Sequence, residues 1–172
     1  MAVRVYKKGS KHSKERDFIN SQGVGVLATV NKDGVPHAAT VYVIADKELD
    51  IYFLTKDGTS KHVNLLQNNK AALVVYDPHS LTTIQIQGTA KVTKDDSMVD
   101  YLYARILTTN KEYSGNDVPP IDRIDAGKYV AYRLSPETVR LIDYWNLDLK
   151  SVAKHQLEQS GPRKRRIRHK SI

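Results

Sequence analysis

Three short runs of β-forming residues between Val24 and Leu54, joined by tight turns, confine this chain to antiparallel β-structure. The first, Val24–Val30, reads V-G-V-L-A-T-V and is rich in β-branched residues. Asn31-Lys32-Asp33-Gly34 follows, and its Asp-Gly pair is strong hairpin chemistry. Val35–Ile44 resumes with strict alternation. Val35, His37, Ala39, Val41 and Val43 share one face; Ala38, Thr40, Tyr42 and Ile44 share the other. Ala45-Asp46-Lys47-Glu48 then turns the chain into a third strand, Leu49–Leu54.

The rest of the chain extends this pattern. Ala71–Tyr76 is a nearly continuous apolar strand, expected to be covered on both faces. Thr82–Val92 alternates, with Ile84 and Ile86 on one face and Thr83, Gln85 and Gln87 on the other. Gly88 inside that run marks a bulge or a close approach. Lys128–Leu134 and Thr138–Tyr144 read as two strands divided by Ser135-Pro136. Three helices are expected. One spans Lys14–Ser21. A second follows Thr59 to about Asn68, docked by Val63 and Leu66. A third starts from a cap within Thr93–Asp96 and runs to about Leu107, packed by Met98, Leu102 and Ile106. Thr108–Ala126 reads as a long polar loop holding Pro119-Pro120, the usual form of a lid, a partner contact or a flexible flap. The fold class is mainly β with peripheral helices: an antiparallel barrel of six or seven strands.

Composition fits one globular domain: 172 residues, 40% of them hydrophobic. With no cysteine, disulfides, thiolate catalysis and cysteine-ligated metals are excluded. No signal-like run opens the chain and no apolar stretch is long enough for a bilayer, so a soluble cytoplasmic protein without a membrane span is expected. The net charge of +8 is unevenly placed, since Gly161–Ile172 holds six Lys and Arg and no acid, leaving +2 for residues 1–160. The expected organisation is a flexible lead-in over 1–13, one domain over 14–150 and a basic, disordered tail over 151–172. Such a tail is either a solvated end or a contact for nucleic acid or anionic lipid.

The densest chemistry lies in Ile51–Tyr76, read as strand, donor-rich turn, short helix and strand. Thr55, Lys56, Thr59, Ser60 and Lys61 crowd the point where the helix begins. A helix start leaves N–H groups unpaired and carries partial positive charge, so hydroxyls and an ammonium there make a seat for phosphate. The plainer alternative is that Thr59 caps the helix while Lys56 and Lys61 are solvated. His37 is either functional or an ordinary strand histidine; Gln85 and Gln87 either meet a ligand or form an outward polar face. The six histidines show no metal-ligand spacing, and no nucleophile elbow or P-loop occurs. Asp95-Asp96 is better explained by capping than by paired-carboxylate catalysis.

In their order and spacing, three segments resemble the pyridoxamine 5'-phosphate oxidase-like family of FMN-binding split barrels, in particular its general-stress-protein-like members. They are G-V-L-A-T-V-N-K-D-G-V-P-H-A-A-T-V-Y-V at Gly25–Val43, Y-F-L-T with T-S-K and N-L-L-Q-N within Tyr52–Asn68, and I-Q-I-Q-G-T-A at Ile84–Ala90. The resemblance implies a split β-barrel and a homodimer with FMN in clefts between the subunits. It places Thr55, Thr59, Ser60 and Lys61 at the FMN phosphate, His37, Ala39, Thr40 and Val41 on the strand edging the isoalloxazine ring, and Thr83 and Gln85 on another strand near the ring. It implies an FMN-dependent oxidoreductase acting on a small molecule, or a flavin-binding protein without turnover; related barrels bind a deazaflavin or haem. A nucleic-acid-associated module using the tail is the alternative from another class. B6 oxidation itself is not expected. The vitamin enzyme's arginine on the ring-edging strand and its Arg-Lys pair are replaced here by His37-Ala38 and Ser60-Lys61. Its C-terminal arginine and histidine pattern is also missing.

Overall fold

The computed structural model describes residues 3–6, 12–93, 95 and 97–144. Asp96 and the basic tail lie outside the described residues. Seven strands are present among those described: β1 (Val3–Tyr6), β2 (Val24–Val30), β3 (Pro36–Ala45), β4 (Ile51–Lys56), β5 (Lys70–Asp77), β6 (Thr82–Val92) and β7 (Tyr129–Asp143). All pairings are antiparallel, in the order β1-β7-β4-β3-β2-β5-β6. A further ladder between β6 and β7 closes six of the strands into a barrel. The barrel is the expected one. β1 was not assigned from sequence; its V-R-V-Y alternation lies within the segment read as a lead-in, and it pairs with the outer half of β7.

Local chemistry sets the elements. At the β2–β3 turn, Asn31 Oδ1 accepts from the amides of Asp33 (2.9 Å) and Val35 (2.8 Å). Gly34 adopts φ +80°, a region costly for residues with a Cβ. The two strands read from 128 to 144 are in fact one, β7. Its Ser135-Pro136 stands opposite Gly88, where the β6–β7 register shifts. Proline is tolerated in a strand at such an irregularity. A Cβ on Gly88 would collide with the Ser135 carbonyl, so the close approach expected there is backbone against backbone.

Helix α1 (Ser13–Gln22) contributes the fully buried Ile19 to the barrel core, alongside Leu27, Val43, Phe53, Ile84, Ile86 and Tyr132. Helix α3 runs over Ser97–Ser114, well past the expected end at Leu107. Thr108, Thr109 and Asn110, read as the start of the polar loop, are weak helix formers, but tertiary partners override propensity. Asn110 is buried, accepting from the Tyr42 hydroxyl (3.0 Å) and donating to the Asn116 carbonyl (2.6 Å). Much of the expected loop is therefore helix, followed by a 3-10 turn at Pro120–Arg123. Leu102 and Ile106 of α3 form a second core with Leu54 and Ala131 on the outer side of β4 and β7. The strand covered on both faces is thus β4. On β5, expected to be covered on both faces, Val74 and Tyr76 are exposed.

Helix α2 (Ser60–Gln67) departs most from expectation. Val63 and Leu66, read as its docking residues, are 45% and 65% exposed. Leu65 and Asn64 face inward instead. Asn64 Nδ2 donates to Thr29 Oγ1 on β2 (3.0 Å), and His62 Nδ1 shares a hydrogen bond with Tyr132 Oη on β7 (3.0 Å). Buried polar groups are tolerated when so paired. Hydrophobic spacing alone therefore picked the wrong face.

Candidate anion-binding cleft

β3 pairs with β2 along Pro36–Tyr42, but with β4 only at Val43, Ile44 and Ala45. Beyond Val43 the two strands diverge, and β4 continues paired to β7 alone. The barrel is split at this seam. In an antiparallel strand alternate residues direct their backbone groups to each side, so the open side of β3 offers unpaired donors and acceptors. The amino end of α2 lies beside the seam, and the two bound a cleft of about 390 Å³.

From β3 the cleft is lined by His37, Ala38 and Ala39; from β2 by Thr29; from the turn and helix by Gly58, Thr59, Ser60 and Lys61; and from the chain before β7 by Ile124 and Ala126. Among the described residues no carboxylate lines it, although Asp33 borders the adjoining hollow that shares His37, Gly58 and Ser60. Lys61 has no ion-pair partner among the described residues, and burial lowers its pKa from the usual 10.5. A desolvated cation without a counter-ion favours an anionic ligand. The first backbone bond of α2 runs from the Val63 amide to the Thr59 carbonyl at 3.1 Å, so the amides of Ser60, Lys61 and His62 precede the ladder. The Ser60 side chain is exposed beside them.

The cleft brings together His37, Ala39, Thr59, Ser60 and Lys61 of the residues expected at the cofactor. Thr55 is buried beneath, and its Oγ1 lies 2.9 Å from Thr59 Oγ1, which itself donates to the Lys56 carbonyl at 2.7 Å. These two hydroxyls organise the turn, leaving Ser60 and Lys61 as the donors toward a ligand. Lys56 turns away, donating from Nζ to the Ile124 carbonyl (2.7 Å). The Val41 side chain belongs to the barrel core, so only its backbone is available to a ligand. Thr40 lies in a second cleft of about 500 Å³, on the outer face with Val26, Val74 and Tyr76. Gln85 pairs with Val74 and Thr83 with Tyr76, and the Thr83 hydroxyl donates to the Val75 carbonyl at 3.3 Å. Neither Thr83 nor Gln85 lines the split-seam cleft.

Thr29, Ala38, Gly58, Ile124 and Ala126 are the lining residues that sequence reasoning missed. Gly58 carried a signal, standing one residue before the helix cap. Ile124 and Ala126 carried none, being brought in by tertiary structure. The polar groups present among the described residues (the Lys61 ammonium, the Ser60 hydroxyl, the helix-opening amides and the His37 imidazole) fit a phosphate monoester. Among the described residues no cluster of three or more metal-ligating side chains occurs.

The sequence profile of the pyridoxamine 5'-phosphate oxidase family matches residues 12–143, spanning every element from α1 to β7. The chain belongs to this family. Solved structures share the fold. General Stress Protein 26 from Bacillus anthracis superposes with a TM-score of 0.57 at 22% identity, covering 77% of this chain and 95% of that one. A pyridoxamine 5'-phosphate oxidase-related, FMN binding protein from Nostoc punctiforme gives 0.55 at 18%, covering 80% and 87%. An F420 reductase gives 0.56 at 23%, covering 72% and 94%. At these identities the likeness is one of fold. No curated protein matches the chain. Among the described residues no helix is long and apolar enough to cross a membrane.

Proposed function

We propose that this family member is a homodimeric flavoprotein that holds FMN at the split seam and acts as an oxidoreductase on a small molecule. The observation carrying the reading is a cleft in which, among the described residues, no acid stands in the lining and Lys61 has no counter-ion, set against the open edge of β3. Lys61 neutralises the phosphate, the Ser60 hydroxyl and the α2 amides donate to it, and backbone groups of His37–Val41 meet the polar rim of the ring system. FMN bound there supplies the electron or hydride transfer, while the protein positions it and excludes competing reactions.

The homodimer is supported by the outer face of β2 and β5, where Val26, Val74 and Tyr76 are 46%, 39% and 50% exposed. Contiguous exposed apolar residues on a sheet are a common mark of an interface. Thr40 and Gln85 share that face, so a partner subunit seated on it brings them to the cofactor of a composite site. A deazaflavin is the second reading, favoured by the F420 reductase among the fold neighbours.

Purified protein tests the proposal directly. The expected result is a yellow preparation with a flavin spectrum, bleached by NADH or NADPH. A flavin spectrum that no reductant alters favours binding without turnover. A colourless protein that rejects added FMN and deazaflavin overturns the reading.

A further inference from the structure

One wall of the cleft is supplied by chain outside the barrel ladder. Ile124 and Ala126 belong to the irregular segment between the 3-10 turn and β7. Such a segment keeps a fixed shape only where its polar groups are tied down. Four hydrogen bonds fasten it to the turn that launches α2. The Ile124 carbonyl accepts from Lys56 Nζ at 2.7 Å, and the Ala126 carbonyl accepts from the Gly58 amide at 2.8 Å. The Lys128 amide donates to Asp57 Oδ1 at 3.0 Å, and the Asp57 amide donates back to the Lys128 carbonyl at 3.0 Å.

Two further bonds anchor the segment's other end. The Asp122 carboxylate accepts from the Tyr103 hydroxyl of α3 at 2.6 Å and from the Tyr129 hydroxyl at the start of β7. The two rings lie 5.5 Å apart, and Lys56 Nζ stands 5.2 Å from the Tyr129 ring centre. The bond to Asp122 raises the Tyr103 pKa; burial, then the same carboxylate, raises that of Tyr129. Both phenols therefore remain proton donors across the physiological range. Ile121, one residue before the carboxylate, packs into the second core.

We propose that Asp122 is a positioning residue for the anion seat. Through Tyr103 and Tyr129 it pins the segment whose Ile124 and Ala126 wall the cleft. Through the bonds to Lys56, Asp57 and Gly58 that segment fixes where the opening amides of α2 point. Asp122 touches no ligand itself. Lys56, grouped by sequence with the phosphate donors, serves as an anchor of this strap. The inference rests on reading the cleft as a phosphate site.

Asp122→Asn and Tyr103→Phe test it. Binding of FMN is followed by quenching of flavin fluorescence, with riboflavin as the phosphate-free control, and amide exchange is measured on the unligated proteins. Both variants are expected to bind FMN several-fold more weakly while riboflavin binding is unchanged. Exchange is expected to accelerate at Gly58 and Lys128, with Leu102 and Ile106 of α3 still protected. Unchanged FMN affinity, unchanged exchange at Gly58, or acceleration spread evenly through α3 overturns the role. Should the wild-type protein bind no FMN, the flavin reading falls and exchange at Gly58 alone decides the strap.

Discussion

Lys61 is the residue with the sharpest consequences. A charge-assisted bond to phosphate contributes about 1.5–3 kcal/mol, so Lys61→Ala is expected to weaken FMN binding roughly tenfold or more. Riboflavin, lacking the phosphate, should be indifferent; fluorescence titration of both ligands reads the difference. Burial also gives a pH dependence. The native Lys61 releases its proton before an ordinary lysine at 10.5 does. FMN affinity should therefore fall as pH rises through that lowered value, and Lys61→Arg, which keeps its charge, should abolish the fall. For the unligated protein the sign is opposite. Between the lowered native value and 10.5 the unfolded chain binds more protons, so this residue's contribution to stability rises with pH across that window. Thermal melts with and without FMN, followed from neutral pH up to 10.5, check both signs. Ser60 and Lys61 were legible in the sequence because a donor cluster beside a helix start has a local signature. Ile124 and Ala126 were not, since nothing near them in the chain shows that Lys56 and Gly58 will capture their carbonyls.

Among the elements, the strands were readable from period-two alternation, and β2 and β6 have the expected bounds. Where the reading failed, polar contacts between distant segments decided the outcome. Asn64 and His62 seat α2 by hydrogen bonds that hydrophobic spacing does not register. The Tyr42–Asn110 bond lets α3 continue through weak helix formers. Pro136 sits inside β7 because the ladder is already shifted at Gly88. That junction is testable. Gly88→Val places its Cβ against the Ser135 carbonyl, and overpacking of this kind costs about 1–3 kcal/mol. The urea midpoint should fall accordingly. Gly34→Asn is the control, because its Cβ meets nothing within 4 Å and asparagine tolerates the left-handed region. A midpoint for Gly88→Val equal to that of Gly34→Asn would show that the β6–β7 contact yields easily.

For the whole molecule, the unpaired apolar face and the split seam belong to one argument. Val74→Glu puts a charge on an exposed position, so the monomer should fold as before. For the proposed flavin-bound dimer, sedimentation equilibrium should show dissociation, with flavin lost in parallel. A Val74→Glu protein that stays dimeric and yellow would move the interface elsewhere. The barrel also has a keystone. Among the described strands β7 is the one with three partners, β1, β4 and β6, and it closes the cylinder only after α3 has been laid down between β6 and itself. During synthesis the earlier strands lack their closing partner until β7 emerges, which leaves their apolar inner side uncovered for that interval. A nascent chain stalled before Tyr129 is then a natural client for chaperones.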